Sequence, residues 1–157
     1  MIFYPDPVLR EECEPVEHFD SELHDLVRLM QKELRESGNG LAVAAPQIGV
    51  TKQVVVYRLT TGDEGVLVNP RIRPLKGRWM YQEGCLSFPG MFWWVDRPNI
   101  VELTYFDKAG KEHRRTDDTL YGRLWQHEVD HLHGRLVIDL LNKTDRRKVE
   151  RKMTVSV

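Results

Sequence analysis

The stretch DDTLYGRLWQHEVDHLHG, Asp117 to Gly134, decides how the rest of the chain is read. Asp117 or Asp118 can cap a helix, and Gly134 suits the left-handed position just past its C-terminus. Within the helix His127 and His131 stand four residues apart, about 40° apart in direction, so both imidazoles leave one face and can offer nitrogens to a single ion. Glu128 lies about 100° round from His127, where a carboxylate can take a proton from a water activated by that ion and return it to a leaving amine. The same face continues through Leu124 and Leu120, an apolar wall beside the histidines. His133, two residues past His131, points elsewhere and reads as solvated or structural.

Upstream, Asp20 or Ser21 can cap a helix whose apolar residues Leu23, Leu26, Val27, Met30 and Leu34 follow helical spacing, with Gly38 ending it. GLAVAAPQIGV, Gly40 to Val50, is small, apolar and broken by Pro46, which predicts an extended segment and a tight turn. Gln53 to Leu59 is a strand. After the turn residues TGDEG, a short strand is expected at Val66 to Val68, then Asn69-Pro70 and alternating segments through Ile72 and Trp79. Cys85-Leu86-Ser87, in EGCLSFPG, is expected as a brief extended piece between turns, and Ile100 to Thr116 as a hairpin. The tail from Thr144 reads as a short basic helix with little apolar face. The pattern is α+β: mostly antiparallel strands packed around a central helix carrying HExxH, with an N-terminal and a short C-terminal helix.

The chain has 157 residues, 41% hydrophobic and 30% charged, with a net charge of −1. That suits one domain, residues 1–157 with a basic tail from about Asp139, and argues against disordered or fibrous classes. The start, MIFYPDPVLREECEP, lacks a basic segment followed by an apolar core, and no window approaches about 18 uninterrupted apolar residues. A cytosol-like compartment is expected, with neither DNA nor a membrane as partner. The 2 cysteines are too few for a disulfide framework. Cys13 reads as a tolerated surface or half-buried thiol.

A catalytic mononuclear site needs three protein ligands and an open position. One protease pattern, HExxHxxGxxH, finds its glycine at Gly134 but has Val137 in the final position. Another takes a glutamate downstream, and Glu150 follows, set among Arg146, Arg147, Lys148, Arg151 and Lys152 in a stretch that reads better as a solvated basic helix. Cys85 is the better candidate: a thiolate binds zinc or ferrous iron strongly, and Gly84 beside it leaves room for close approach.

Three blocks, GLAVAAPQIG (Gly40–Gly49), EGCLS (Glu83–Ser87) and QHEVDH (Gln126–His131), together resemble peptide deformylases, the enzymes that remove the formyl group from the initiator methionine of nascent chains. The likeness runs from YPDPVLR at Tyr4 to about Gly134. It implies Cys85, His127 and His131 as metal ligands and Glu128 as general acid/base. It further implies that the Gln47 amide and the backbone N–H of Leu86 hydrogen-bond the formyl oxygen. One divalent ion is implied, Fe2+ by the family pattern, with Zn2+, Ni2+ or Co2+ in purified protein. Leu41, Leu120 and Leu124 would receive the methionine side chain, while the formyl-Met peptide pairs as an added strand near Leu41 and Gly84. Ala42 stands where the family has a glycine lining the cleft, so its methyl is expected to shift or narrow peptide binding.

Glu83 and Arg97 match family positions where an ion pair braces the metal loop, although on sequence alone both read as surface charges. The cluster Met91-Phe92-Trp93-Trp94 reads as core or as a hydrophobic rim for the peptide. The tail, with six Lys/Arg against three Asp/Glu from Asp139 onward, could dock on ribosomal RNA near emerging chains.

Overall fold

The structure, a computed structural model, describes residues 1–155. Among the described residues it is α+β, with one antiparallel sheet and three α-helices. Helix α1 (Ser21–Glu36) opens where the Asp20 side chain accepts from the Leu23 N–H, and Gly38 follows its end at φ +85°. Strands β1 (Ala42–Ala44), β2 (Val54–Arg58), β3 (Glu64–Cys85), β4 (Phe88–Phe106) and β5 (Glu112–Asp117) form a meander in sequence order. Helix α2 (Leu120–Leu132) and helix α3 (Lys143–Val155) follow.

The apolar run of β2 is explained by burial on both faces. Val54 and Val56 face Leu23, Val27, Met30 and Leu34 of α1, whereas Val55 and Tyr57 face Trp125 and Leu132 of α2. Tyr57 and Trp125 meet edge-on at 4.9 Å. Each such side chain contributes about 1.5–3 kcal/mol when fully buried, so the two helices clamp the β1–β2 end of the sheet and fix α2 beside β1.

Four expectations are corrected. The several short strands between Val66 and Trp79 are one 22-residue strand, β3, paired along its length with the 19-residue β4. Asn69-Pro70 and Pro74 do not end it, because the register shifts between Val68 and Arg71 and between Pro74 and Lys76 absorb them as bulges. Leu86-Ser87 is not extended but is the turn between β3 and β4, closed by the Cys85–Phe88 pair. The cap of α2 is Thr119, whose side chain accepts from Tyr121 N–H, while Asp117 ends β5 and accepts from both the backbone N–H and the hydroxyl of Thr119. Finally, α3 does have an apolar anchor: Val149 is buried in a cluster with Leu9, Phe88, Leu136, Val137 and Ile138. The last two residues of the tail, Ser156 and Val157, lie outside the described residues.

Candidate active site

The β3–β4 turn and one face of α2 meet across β1. A register shift falls between Gly84 and Cys85, so that Cys85 pairs with Phe88 at the close of the hairpin while its thiol turns toward α2; irregularities of this kind re-aim side chains. The thiol ends 3.4 Å from His131 Nε2. Together Cys85 Sγ and one nitrogen each of His127 and His131 lie within 4.8 Å of one another. Ligand atoms around a tetrahedral zinc-type ion are about 3.5 Å apart, so a small closure would complete the sphere, and thiolate with two imidazoles is a donor set for zinc or ferrous iron.

Beneath the histidines lies a charged network of which the family resemblance implied only the Glu83–Arg97 pair, and which the residues alone did not show. Glu83 and Arg97 are buried rather than on the surface. Arg97 Nε and an Nη donate to the two Glu83 oxygens at 2.7 and 3.0 Å, and its other Nη donates to Asp130 at 2.9 Å. Arg123, also buried, donates to Glu83 and to the carbonyls of Val95 and Trp79. His127 Nδ1 lies 2.9 Å from Glu83 Oε1, which leaves Nε2 for the cleft. Burial raises the Glu83 pKa, but the bonds from His127 and Arg97 outweigh it and hold the carboxyl at about 2. Arg123 sits four residues before His127 on the same helix face, and a cation there was the available hint of an acidic partner.

Glu128 is buried, with Oε2 unpaired among the described residues. Burial pushes its carboxyl up to about 7, against the pull of His127 and Arg97, a value suited to exchanging protons near neutrality. Burial opposes the charged form of His127, yet Cys85 and Glu83 pull it well above the ordinary histidine value. Burial and the neighbouring His127 and Arg97 hold His131 well below it.

Gln47 is fixed at both ends of its amide. Its Oε1 accepts from Ala44 N–H at 2.9 Å, and Nε2 donates to Ser87 Oγ at 3.1 Å while standing 3.8 Å from Cys85 Sγ. Ser87 in turn donates to the Ile2 carbonyl at 2.8 Å. Ser87 was expected only as part of a brief extended piece, because its partners lie 40 and 85 positions away in sequence.

A cleft of about 550 Å³ opens over these groups. Leu41, Ala42, Gly84 and Leu86 line it, with Leu120 and Leu124 opposite on α2. Elsewhere, Val137 is buried in the core, and Glu150 pairs with Arg146 along α3 and is not among the convergent ligand groups. His133 meets Glu12 near the surface, and Cys13 is fully buried, its thiol pushed up to about 12 by burial and by Glu12 and Glu11.

The family model described as polypeptide deformylase matches residues 1–147. The chain belongs to the peptide deformylase family. A peptide deformylase of Chlorobaculum tepidum is 36% identical over 156 residues, covering 96% of this chain and 83% of that protein. One from Rhizobium meliloti is 38% identical over 159 residues, covering 98% and 91%. Among solved structures, a Legionella pneumophila peptide deformylase superimposes with a TM-score of 0.91 at 35% identity, covering 98% of this chain and 92% of that one. A Synechococcus elongatus peptide deformylase in complex with actinonin gives 0.89 at 38% identity, covering 97% and 84%. In this deformylase the family-wide metal dependence has a matching donor set in Cys85, His127 and His131.

Proposed function

We propose that this peptide deformylase removes the formyl group from the N-terminal methionine of nascent chains with Cys85, His127 and His131 as ligands of one divalent ion and Glu128 as its proton carrier. The observation that carries the reading is the convergence of those three donors beside a buried carboxyl raised to about 7. An ion bound there would acidify a water and polarise the formyl oxygen. Glu128 takes the proton of that water as its oxygen attacks the formyl carbon. The amide N–H of Gln47 and the backbone N–H of Leu86 donate to the formyl oxygen as it gains charge, each worth about 2.7–4 kcal/mol of barrier. Glu128 then hands the proton to the methionine nitrogen as the C–N bond breaks, releasing formate and a free amino terminus.

Leu41, Leu120 and Leu124 form the wall for the methionine side chain, and the segments at Leu41 and Gly84 offer backbone to an extended peptide. Ala42 adds a methyl to that wall and narrows it relative to glycine. The ion is ferrous in the cell, replaced by zinc, nickel or cobalt during aerobic purification; metal analysis of anaerobically prepared protein tests this. Residues 1–157 act as one catalytic domain in a cytosol-like compartment, and no helix among the described residues is long and apolar enough to cross a membrane. With Val149 turned inward, exposed Arg147 and Arg151 on α3 face outward for contact with ribosomal RNA. Unchanged ribosome co-sedimentation after deletion of residues 144–157 would exclude that contact.

Cys85→Ser and Glu150→Gln separate this ligand set from a protease-type one. Cys85→Ser is expected to lose bound metal and formate release, and Glu150→Gln to keep both. A Cys85→Ser protein that kept both would overturn the assignment.

A further inference from the structure

Residues 2–4 lie between the two turns that carry the donors for the formyl oxygen. The Ile2 N–H donates to the Gln47 carbonyl at 2.7 Å, and the Tyr4 N–H to the Ser87 carbonyl at 3.1 Å. One short segment is therefore bonded to the backbone of both turns. Its side chains hold it in place: Ile2 and Tyr4 pack on the cluster containing Leu9, Phe88 and Leu136, with Tyr4 stacked on Phe88 at 4.9 Å, whereas Phe3 between them is 50% exposed. Alternate burial is the pattern of an extended segment laid on a core.

A third bond fixes a proton. A carbonyl only accepts, so the single hydroxyl proton of Ser87 is committed to the Ile2 oxygen at 2.8 Å. Ser87 Oγ is thereby left as an acceptor for Gln47 Nε2 at 3.1 Å. At the other end of the amide, the Ala44 N–H only donates and so requires Oε1, at 2.9 Å. The Gln47 amide is held from both ends, and its second N–H is left on the side of Cys85 Sγ, 3.8 Å from Nε2, where both residues line the cleft. Without the Ile2 carbonyl the Ser87 hydroxyl becomes a free rotor, and Nε2 loses a partner that can only accept.

We propose that Ile2 is a positioning residue for the formyl-oxygen site: its backbone carbonyl, acting through Ser87, sets the direction of the Gln47 amide, while residues 2–4 tie the Gln47 turn to the turn that presents the Leu86 N–H. The proposal rests on the deformylase reading above and adds the start of the chain to its machinery. Donors aimed at a charge that develops only in the transition state act on kcat, so their misalignment spares KM.

The test is a double-mutant cycle between Ile2 and Ser87, read as formate release from a formyl-Met peptide by metal-loaded protein. A chain beginning with Phe3→Met lacks Met1 and Ile2 but keeps the Tyr4 N–H. Its kcat is expected to fall about tenfold, part of the roughly 10²–10³-fold that complete loss of one such donor costs, with KM and metal content as in wild type. In a Ser87→Ala background the same shortening should change kcat by less than about twofold, because the group through which Ile2 acts is already gone. A fall of equal size in both backgrounds, a fall carried by KM or by lost metal, or no fall at all overturns the proposal. Should the shortened chain not fold, an ester replaces the amide joining Ile2 to Phe3, introduced by ligating synthetic residues 1–12 to residues 13–157 at Cys13. The ester keeps every side chain and makes the Ile2 carbonyl a poorer acceptor. It should lower kcat about threefold with Ser87 present and leave it unchanged in Ser87→Ala; an unchanged kcat with Ser87 present overturns the proposal. Absence of formate release in wild type, or a wild-type kcat in Gln47→Ala, would instead count against the deformylase reading itself.

Discussion

Replacing Glu83 by Gln keeps the shape of the side chain and removes the one charge on which Arg97, Arg123 and His127 converge. Removing one partner of a buried ion pair costs about 3–5 kcal/mol, because the remaining charge is left desolvated. Here the cations keep other partners, since Arg97 retains Asp130 at 2.9 Å and Arg123 retains the carbonyls of Val95 and Trp79. The lower end, about 3 kcal/mol, is therefore expected, or a fall in Tm of roughly 6–12 °C for a chain of this size. Loss of the Nδ1 partner of His127 is expected to weaken metal binding by about 10- to 100-fold. Thermal unfolding with and without metal measures both effects. The control is Glu102→Gln, which removes the half-buried partner of an Arg73 side chain that is itself 67% exposed; with that cation in solvent, the loss should cost under about 1 kcal/mol. A Glu83→Gln protein that unfolds like the Glu102→Gln control and binds metal like wild type would refute the reasoning.

The same carboxyl gives a pH signature. Its pKa is lowered from 4.5 to about 2 in the fold, so the unfolded chain binds the proton more readily. The stabilisation is thus complete above about pH 4.5 and is lost as pH falls toward 2, with about 2 of the ~3 kcal/mol gone by pH 3. In urea unfolding of metal-free protein, the gap between wild type and Glu83→Gln should shrink from pH 7 to pH 3; a constant gap would assign the network no electrostatic role. Ser87→Ala should lower kcat by roughly tenfold or more with KM nearly unchanged, since it frees the Gln47 amide to rotate away from a charge that develops only in the transition state. Ser87→Thr should restore part of the rate, and a rise in KM alone would contradict the positioning role.

The site was legible where its chemistry is local. His127, Glu128 and His131 share one helical turn, and Cys85 could be weighed as a third donor without knowing the fold. The network beneath them was legible only as the Glu83–Arg97 pair that the family resemblance implied; its burial was not, because Glu83 and Arg97 become buried only through the pairing of β3 with β4, and Arg123 joins them from α2. Strand lengths failed for a related reason: Pro70 and Pro74 are ordinary strand breakers that a long hairpin tolerates at bulges. Thr119 displaced the expected aspartate cap because Asp117 is occupied in ending β5 and in accepting, at 3.3 Å, from the Trp125 ring N–H. The tail lost its apolar anchor in the reading because only Val149 and, one turn on, the half-buried Met153 carry it.

The most direct measurement is formate release and metal content in Glu128→Gln, read on the same preparation with a formyl-Met peptide. The account predicts metal content equal to wild type, since all three donors remain, and a fall in kcat of about 10²-fold or more with the proton carrier gone. A Glu128→Gln protein that holds its metal and releases formate at the wild-type rate would contradict it.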